Sequence, residues 1–328
     1  MGAIGILTAG GDCPGLNAVI RAVTRTCEVE GRRVLGIEEG WDGLMNGKLH
    51  YIDRGQVGGI IGHGGTILGT SRLDPYVHGD GYASVAETVE RFDLDAVVVV
   101  GGDGTLRSAS KLAEEGLPCI GVPKTIDNDI SLTDVTFGFH TAVQIATDSI
   151  DRLRTTAEAH HRVMLVEVMG RSVGWIAAYA GIAGGADAIL VPERPWSLDD
   201  LTETLVERHD RGRPYSIVVV AEGIDPPPEI GDHDAGVDAF GFARLGGVSY
   251  LLAPIVEERT GIETRVVVLG HTQRGGSPTA YDRVLATRLG ARAAQAAMAG
   301  ESGKMVSLRG DDIELVELAE ACAEPRPL

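Results

Sequence analysis

Positive charge is in short supply in this chain: 29 lysines and arginines face 47 aspartates and glutamates, for a formal charge of −18 at pH 7. A general nucleic-acid or membrane-surface binder needs a broad basic field, and this balance excludes one. Anionic substrates stay open, because a local arginine cluster dominates within a Debye length of about 8 Å at physiological salt. Cysteine is scarce as well, at four residues (Cys13, Cys27, Cys119, Cys322) with no C-x-x-C spacing. That excludes a disulfide scaffold and predicts a reducing, cytoplasmic setting. No apolar run approaches the length of a membrane span, the N-terminus lacks a basic stretch followed by apolar residues, and Ile6 stands where a myristoylation signal needs Ser or Thr. Aromatic residues make up only 5% of the chain, whereas 45 of its 328 residues are glycine. An aliphatic core with many tight strand-to-helix turns fits this composition, and a β-sandwich does not. The length suits two α/β domains.

Two short stretches carry the chemistry. Gly101-Gly102-Asp103-Gly104-Thr105 follows the apolar run Ala96–Val100, and Pro123-Lys124-Thr125-Ile126-Asp127-Asn128-Asp129 follows Cys119–Val122, with a helical pattern from Leu106 to Glu115 between them. This is a βαβ unit with polar residues at both strand ends, where open parallel sheets bind ligands. Paired glycines let backbone amides approach phosphate, and an adjacent carboxylate suits Mg²⁺. Taken singly, Gly-Gly-Asp-Gly is also an ordinary turn composition and Thr-Ile-Asp-Asn-Asp also an ordinary helix cap.

As a pair at this separation, the two stretches resemble the phosphofructokinase family, and the resemblance runs from Gly5 to about Gly300. It implies two Rossmann-like three-layer α/β lobes with mainly parallel sheets and an active site in the cleft between them. The expected division is 1–138 with 273–305 for the phosphoryl donor, and 139–272 with 306–328 for the sugar phosphate. The implied reaction is phosphoryl transfer to the 1-hydroxyl of fructose 6-phosphate, with Mg²⁺ as cofactor, the committing step of glycolysis.

Read in order, Ala3–Thr8 is a strand, Ala9–Gly15 a glycine-rich turn and Leu16–Glu30 a helix, together a phosphate cradle at a helix N-terminus. The resemblance makes Gly11 a donor contact. The segment from Gly64 to Arg72 resembles the one whose arginine bridges the reacting phosphates, so Arg72 takes that role. A helix over Gly138–Thr156 and a strand over Arg162–Val168 lead to Met169-Gly170-Arg171, which in the family faces the sugar and the moving phosphoryl group. Strand Ser216–Ala221 ends at Glu222, in the family's sugar-binding position. Strand Arg265–Leu269 leads to Gly270-His271-Thr272-Gln273-Arg274-Gly275-Gly276, where His271 and Arg274 are expected to converge on the 6-phosphate. Residues from about Pro226 to Asp238 read as an exposed excursion.

The resemblance assigns the base to Asp127, the metal to Asp103, and local charge to Asp129. Thr125 orients phosphate or hydroxyl, and Arg72 and Arg171 stabilise the transition state. Gly11, Gly102, Gly104, Thr105 and Lys124 complete the donor site, and Arg162, Met169, Gly170, Glu222, Arg265, His271 and Arg274 the sugar-phosphate site. In related enzymes the arginines matching Arg162 and Arg265 serve a neighbouring subunit, which predicts a dimer or tetramer with shared sites. Arg21, Arg25, Arg54, Arg154, Arg211 and Arg213 match basic effector-binding positions, with Asp187 where allosteric bacterial members carry Glu. Donor motifs are mixed: Gly104 is the ATP-like choice and Lys124 the pyrophosphate-like one. ATP is expected, because an aspartate at 104 would set a negative charge where its α-phosphate must lie. Two rivals are another Gly-Gly-Asp-Gly kinase, acting on NAD or lipid, and a non-catalytic nucleotide sensor. Met169-Gly170-Arg171 and the His271 loop weigh against the first, and Asp127 with Arg171 against the second.

Overall fold

The computed structural model describes residues 2–227 and 246–328. The chain forms two compact units, the first from Met1–Thr141 with Arg274–Arg326 and the second from Ala142–Gln273 with Pro327–Leu328.

The first unit is built on a sheet whose centre is β1 (Ala3–Thr8), β4 (Leu94–Gly101) and β5 (Cys119–Thr125), all parallel. Every residue of β1 and β5 is buried, as is all of β4 except Asp95. Unbroken apolar runs such as Val97–Val100 are therefore covered on both faces by helices, which is why they lack the two-residue alternation of a half-exposed strand. On one side β2 (Val34–Ile37) pairs with β1 in parallel, and β3 (Leu49–Ile52) pairs antiparallel with β2. The short β6 (Phe137–Gly138) adds to β5. Helices α1 (Leu16–Val29), α2 (Trp41–Asn46), α3 (Pro75–His78), α4 (Ala83–Arg91) and α5 (Asp103–Glu114) belong to this unit. Helix α5 begins at Asp103, three residues earlier than the sequence pattern suggested, because polar residues in its first turn hide its periodicity.

Helix α6 (Phe139–His160) carries the chain into the second unit within its first turn. There β7 (Val163–Val168), α7 (Trp175–Ala183), β8 (Ala188–Leu190), α8 (Leu198–Asp210), β9 (Ser216–Ala221), α9 (Val248–Thr260) and β10 (Thr264–Val268) form a four-stranded parallel sheet, in the order β10-β7-β9-β8, with its helices. Two of these helices were not legible as periodic segments. Helix α8 is fixed by its ends: Ser197 Oγ accepts from Asp200 N at 3.0 Å, acids lie in its first turn and Arg208 and His209 in its last. Helix α9 carries Pro254 inside it and is held at its start by the buried Glu167 of β7, whose carboxylate accepts from Gly247 N at 2.5 Å and Ser249 N at 2.9 Å. Of the excursion expected from about Pro226 to Asp238, residues 228–238 lie outside the described residues.

The chain then returns through α10 (Ala280–Met298), β11 (Lys304–Arg309), β12 (Asp312–Glu317) and α11 (Leu318–Ala321). The sequence reading assigned 306–328 to the sugar-phosphate lobe, and here the structure differs. Strand β11 runs parallel to β5, with Lys304 opposite Ile120 and Met305 opposite Gly121, and β12 pairs antiparallel with β11. Met305 and Leu318 are fully buried in the first unit's core. The edge of β5 would otherwise leave backbone groups and apolar side chains uncovered, so the tail completes this sheet.

Candidate active site

Three strand ends of the first unit meet at one edge of its sheet. After β1, Gly10 takes a left-handed φ of 81°, and the segment from Gly64 to Arg72 is stitched to this turn. Gly10 N donates to Ser71 O at 2.9 Å, Thr70 Oγ1 to Gly10 O at 2.6 Å, and Thr8 Oγ1 to Gly69 O at 2.8 Å. Asn17 anchors the far end, donating to His63 O and accepting from Ile67 N. An irregular loop thereby delivers the exposed Arg72 beside the Gly10-Gly11 turn.

After β4, Gly101 must be glycine, since a Cβ there would lie 2.3 Å from the Thr105 side chain. Gly102 caps α5 in an extended conformation, so the free amides of the first helical turn point outward from the strand end. A Cβ on Gly104 would meet nothing within 4 Å, so the space beside this helix N-terminus is open. Thr105 lies against the Gly10 turn, its Oγ1 3.3 Å from where a Gly10 Cβ would sit. Asp103 accepts from Arg107 Nε at 3.0 Å.

After β5 comes the Thr125–Asp129 turn. Strands β4 and β5 pair with Gly101 opposite Pro123, which sets Asp103 next to Thr125 and Asp127. Thr125 Oγ1 accepts from Asp127 N at 3.0 Å. Asn128 is held at a positive φ of 55° while its Oδ1 accepts from Thr136 N at 3.0 Å, and Thr136 Oγ1 donates to Thr125 O at 2.8 Å. Asp127 is buried, at 3% exposure, and its Oδ1 has no hydrogen-bond partner. A buried carboxylate oxygen left this way is costly unless a substrate or ion completes it.

Lys124 and Arg274 are both engaged at the glycine-rich turn. Lys124 is buried and Nζ donates to Gly11 O, and burial lowers its pKa from the usual lysine value. Arg274 Nη1 donates to Asp12 O at 3.2 Å and lies over Gly11, 2.9 Å from where a Cβ would be. His271 and Arg274, expected to converge on one anion, lie in one short helical turn, Gly270–Arg274, three residues apart. The unit boundary falls between Gln273 and Arg274, and His271 is exposed on the second unit's side of it.

In the second unit, Met169-Gly170-Arg171 turns sharply after β7, with φ of 151° at Gly170 and 52° at Arg171. Glu222, at the end of the adjacent β9, holds this turn: its Oε1 accepts from Gly170 N at 3.2 Å and Arg171 N at 3.0 Å. Gly223 allows the close approach, because a Cβ there would sit 1.8 Å from Arg171 O. Glu193 then caps α7, accepting from Gly174 N at 2.9 Å and 3.1 Å through its two oxygens. Met169 is half-buried and Arg171 exposed. Glu222, read from sequence as a sugar-hydroxyl acceptor, therefore also shapes the turn that presents Arg171.

Arg162 and Arg265 sit elsewhere in this unit. They flank the starts of β7 and β10, where Arg162 Nε donates to Glu263 Oε2 at 2.6 Å and Arg265 engages the other oxygen of the same carboxylate. The Arg162 hydrogen bond, with Arg265 adding to it, holds Glu263 below the usual carboxylate range. Strand β7 separates this pair from the Met169–Arg171 turn, a span of about 20 Å at roughly 3.3 Å per residue.

A sequence profile described as Phosphofructokinase matches residues 3–297. The chain belongs to the phosphofructokinase family. It is 54% identical over 320 residues to the protein named ATP-dependent 6-phosphofructokinase 3 of Streptomyces coelicolor, covering 97% of this chain and 94% of that one. It is also 54% identical over 323 residues, covering 98% and 94%, to the protein named pyrophosphate–fructose 6-phosphate 1-phosphotransferase of Amycolatopsis methanolica. Among solved structures it superposes on Pichia pastoris phosphofructokinase in the T-state with a TM-score of 0.86 at 34% identity. That match covers 98% of this chain but 35% of the yeast chain, so this chain spans about a third of that relative's length. The two-lobed α/β phosphofructokinase fold and mainly parallel sheets expected from sequence are those observed.

In this phosphofructokinase the expected effector residues already have partners for the most part. Arg54 pairs with Glu28 at 3.5 Å and Arg211 with Glu207 at 2.8 Å, while Arg154 donates to the Gly184 and Gly185 carbonyls. Asp187 accepts from Ile217 N at 2.8 Å and is bridged by Arg208 at 2.6 Å, so it serves the start of β9. Arg21 and Arg25 lie half-buried on α1, and Arg213 is exposed. Sequence reading passed over Glu193, Glu263 and Arg208; each is a lone charge in a polar stretch, and only its partner gives it meaning.

No cluster of three or more metal-ligating side chains occurs among the described residues. Mg²⁺ requires none, since one or two carboxylates with substrate phosphates and water complete its shell. The unpartnered Oδ1 of buried Asp127, with Asp103 on the neighbouring strand end, fits that need. No helix among the described residues is long and apolar enough to cross a membrane.

Proposed function

We propose that this protein transfers the terminal phosphoryl group of ATP to the 1-hydroxyl of fructose 6-phosphate, giving fructose 1,6-bisphosphate. The observation that carries the reading is Asp127, a buried carboxylate with one oxygen unpartnered, on the strand next to an open helix N-terminus and a glycine turn. The helix amides of α5 and the Gly10-Gly11 turn receive the donor phosphates. Asp127 takes the proton of the attacking hydroxyl, and Thr125 orients that hydroxyl or the phosphoryl oxygen. Such transition states are loose and leave charge on the equatorial oxygens, so catalysis is mainly positioning and charge stabilisation. Arg72 and Arg171 supply that charge. Asp103 would hold Mg²⁺, which would supply positive charge against the donor phosphates. Asp129 sets the local field, and Met169, Glu222 and His271 recognise the sugar phosphate.

Pyrophosphate is the second reading, favoured by Lys124 and by the name of the Amycolatopsis methanolica relative. Gly104 supports ATP, because its side leaves room for the α-phosphate and nucleoside. Purified protein given fructose 6-phosphate, Mg²⁺ and either donor decides between them. A higher kcat/KM with ATP is expected; one favouring pyrophosphate overturns the donor assignment, and no turnover with either overturns the reaction.

The placement of Arg162 and Arg265 at the far end of β7 supports their serving the sugar phosphate of a second copy, so that each site needs a dimer or a larger assembly. Mixing inactive Asp127→Ser subunits with inactive Arg162→Ala subunits is then expected to restore activity, since hybrid dimers hold one intact site. Failure to recover activity after mass spectrometry has shown subunit exchange would place the whole site within one chain.

A further inference from the structure

We propose that Asp74 is a positioning residue for phosphoryl transfer, fixing the loop that carries Arg72 against helix α5. The inference rests on the reaction proposed above, in which Arg72 stabilises charge on the phosphoryl group and the α5 N-terminus receives the donor. Asp74 is partly buried, and the two oxygens of its carboxylate have different partners. Oδ1 accepts from Tyr76 N at 2.8 Å and so caps α3, where Pro75 occupies the first turn. Oδ2 accepts from Ser108 Oγ at 2.6 Å, a short bond of the kind a hydroxyl makes to a carboxylate. Ser108 is buried on α5, one turn beyond Gly104, and the same hydroxyl lies 3.1 Å from Gly104 O. One side chain thus joins the segment just after Arg72 to the first turn of the helix on which the donor phosphates are to sit. All of these residues belong to the first unit.

The other side of Arg72 is fixed by Ser71, whose carbonyl accepts from Gly10 N at 2.9 Å and whose Oγ donates to Glu39 O at 2.7 Å. Only Arg72 and Leu73 lie between this anchor and Asp74. Consecutive Cα atoms are about 3.8 Å apart, so anchors at both ends of so short a span leave the Arg72 backbone little room to move. Farther along, Tyr82 N donates to Glu115 Oε2 at 3.1 Å, too distant in the chain to set where Arg72 sits. Between these points Pro75 is buried, and Lys111 Nζ of α5 lies 5.2 Å from the centroid of the Tyr76 ring. Such contacts keep α3 on α5 without fixing a hydrogen-bond direction, so loss of the Asp74 carboxylate loosens Arg72 and leaves the segment docked. Asp74 touches no substrate in the proposed mechanism, and its contribution lies in geometry. A displacement of about 1 Å in a catalytic group costs up to about a hundredfold in rate.

Steady-state kinetics with the preferred donor and hydrogen–deuterium exchange test the assignment on single and paired variants. Asp74→Ala is expected to lower kcat about tenfold, with both KM values within about threefold of the parent. Ser108→Ala removes the bond to α5 while leaving the α3 cap in place, and should lower kcat by about threefold or more. Asp74→Asn, whose amide can accept from Tyr76 N and donate to Ser108 Oγ, should recover most of the rate. If Asp74 acts through Arg72, adding Asp74→Ala to Arg72→Ala should cost less than about twofold more, whereas independent losses multiply. Exchange should accelerate in peptides spanning 70–82 and stay unchanged in β1 and β5. Unchanged kcat in both Asp74→Ala and Ser108→Ala, or losses that multiply in the paired variant with Arg72→Ala, overturns Asp74 as a positioning residue. Should Asp74→Ala fail to fold, Ser108→Ala, alone and paired with Arg72→Ala, carries the same test. A parent protein inactive with both donors refutes the proposed reaction instead, and exchange over 70–82 still decides whether Asp74 and Ser108 hold the loop.

Discussion

Asp127→Asn is expected to lower kcat by about a hundredfold to ten-thousandfold while leaving fructose 6-phosphate binding nearly unchanged, the range for loss of a general base. The structure makes this a clean substitution. Asp127 N bonds to Thr125 Oγ1 through the backbone, which the variant keeps, and the carboxylate Oδ1 has no partner to lose. A buried, partly unpaired charge is removed, so the melting temperature should hold or rise. Steady-state kinetics with a thermal melt on the same preparation measures both. A variant with kcat within threefold of the parent would move the base to another residue.

The second large effect concerns the donor. Gly104→Asp is expected to reduce kcat/KM for ATP on the order of a hundredfold, because the new carboxylate projects into the open space beside the α5 N-terminus. Two like charges about 5 Å apart at an effective dielectric near 20 repel by roughly 3 kcal/mol, which corresponds to that factor. Folding should not suffer, since nothing lies within 4 Å of the added Cβ and an acid in the first helical turn is favourable. Comparing ATP with pyrophosphate on parent and variant separates charge from general damage: ATP use should fall far more than any pyrophosphate use. Equal loss with both donors would refute the steric and electrostatic argument for Gly104. The companion substitution changes meaning in the light of the structure. Lys124 is buried with its ammonium on the Gly11 carbonyl, so Lys124→Gly removes a support of the donor turn as well as a charge. Lys124→Met, which keeps most of the stem, is the better probe of charge alone.

The sequence determined the parts that depend on local chemistry. Runs such as Val97–Val100 could be read as buried strands because a doubly covered strand needs apolar residues on both faces. The glycine turns could be read because only glycine permits the approach that Gly101 makes to Thr105 or Gly223 to the Arg171 carbonyl. Asp103, Thr125 and Asp127 could be placed together because parallel neighbours end on the same side of a sheet.

What depended on distant partners was decided by tertiary structure. Read from sequence, the tail falls in the sugar-phosphate lobe, whereas β11 pairs with β5 in the first unit, since an exposed sheet edge accepts any strand that offers the right register and apolar side chains. Glu222 orients a turn fifty-one residues before it, and Arg162 shares a carboxylate with Arg265 far from Arg171. Charges of this kind take their role from whichever opposite group the fold brings within about 3 Å. That distance is set by the packing of whole elements, and no local pattern encodes it.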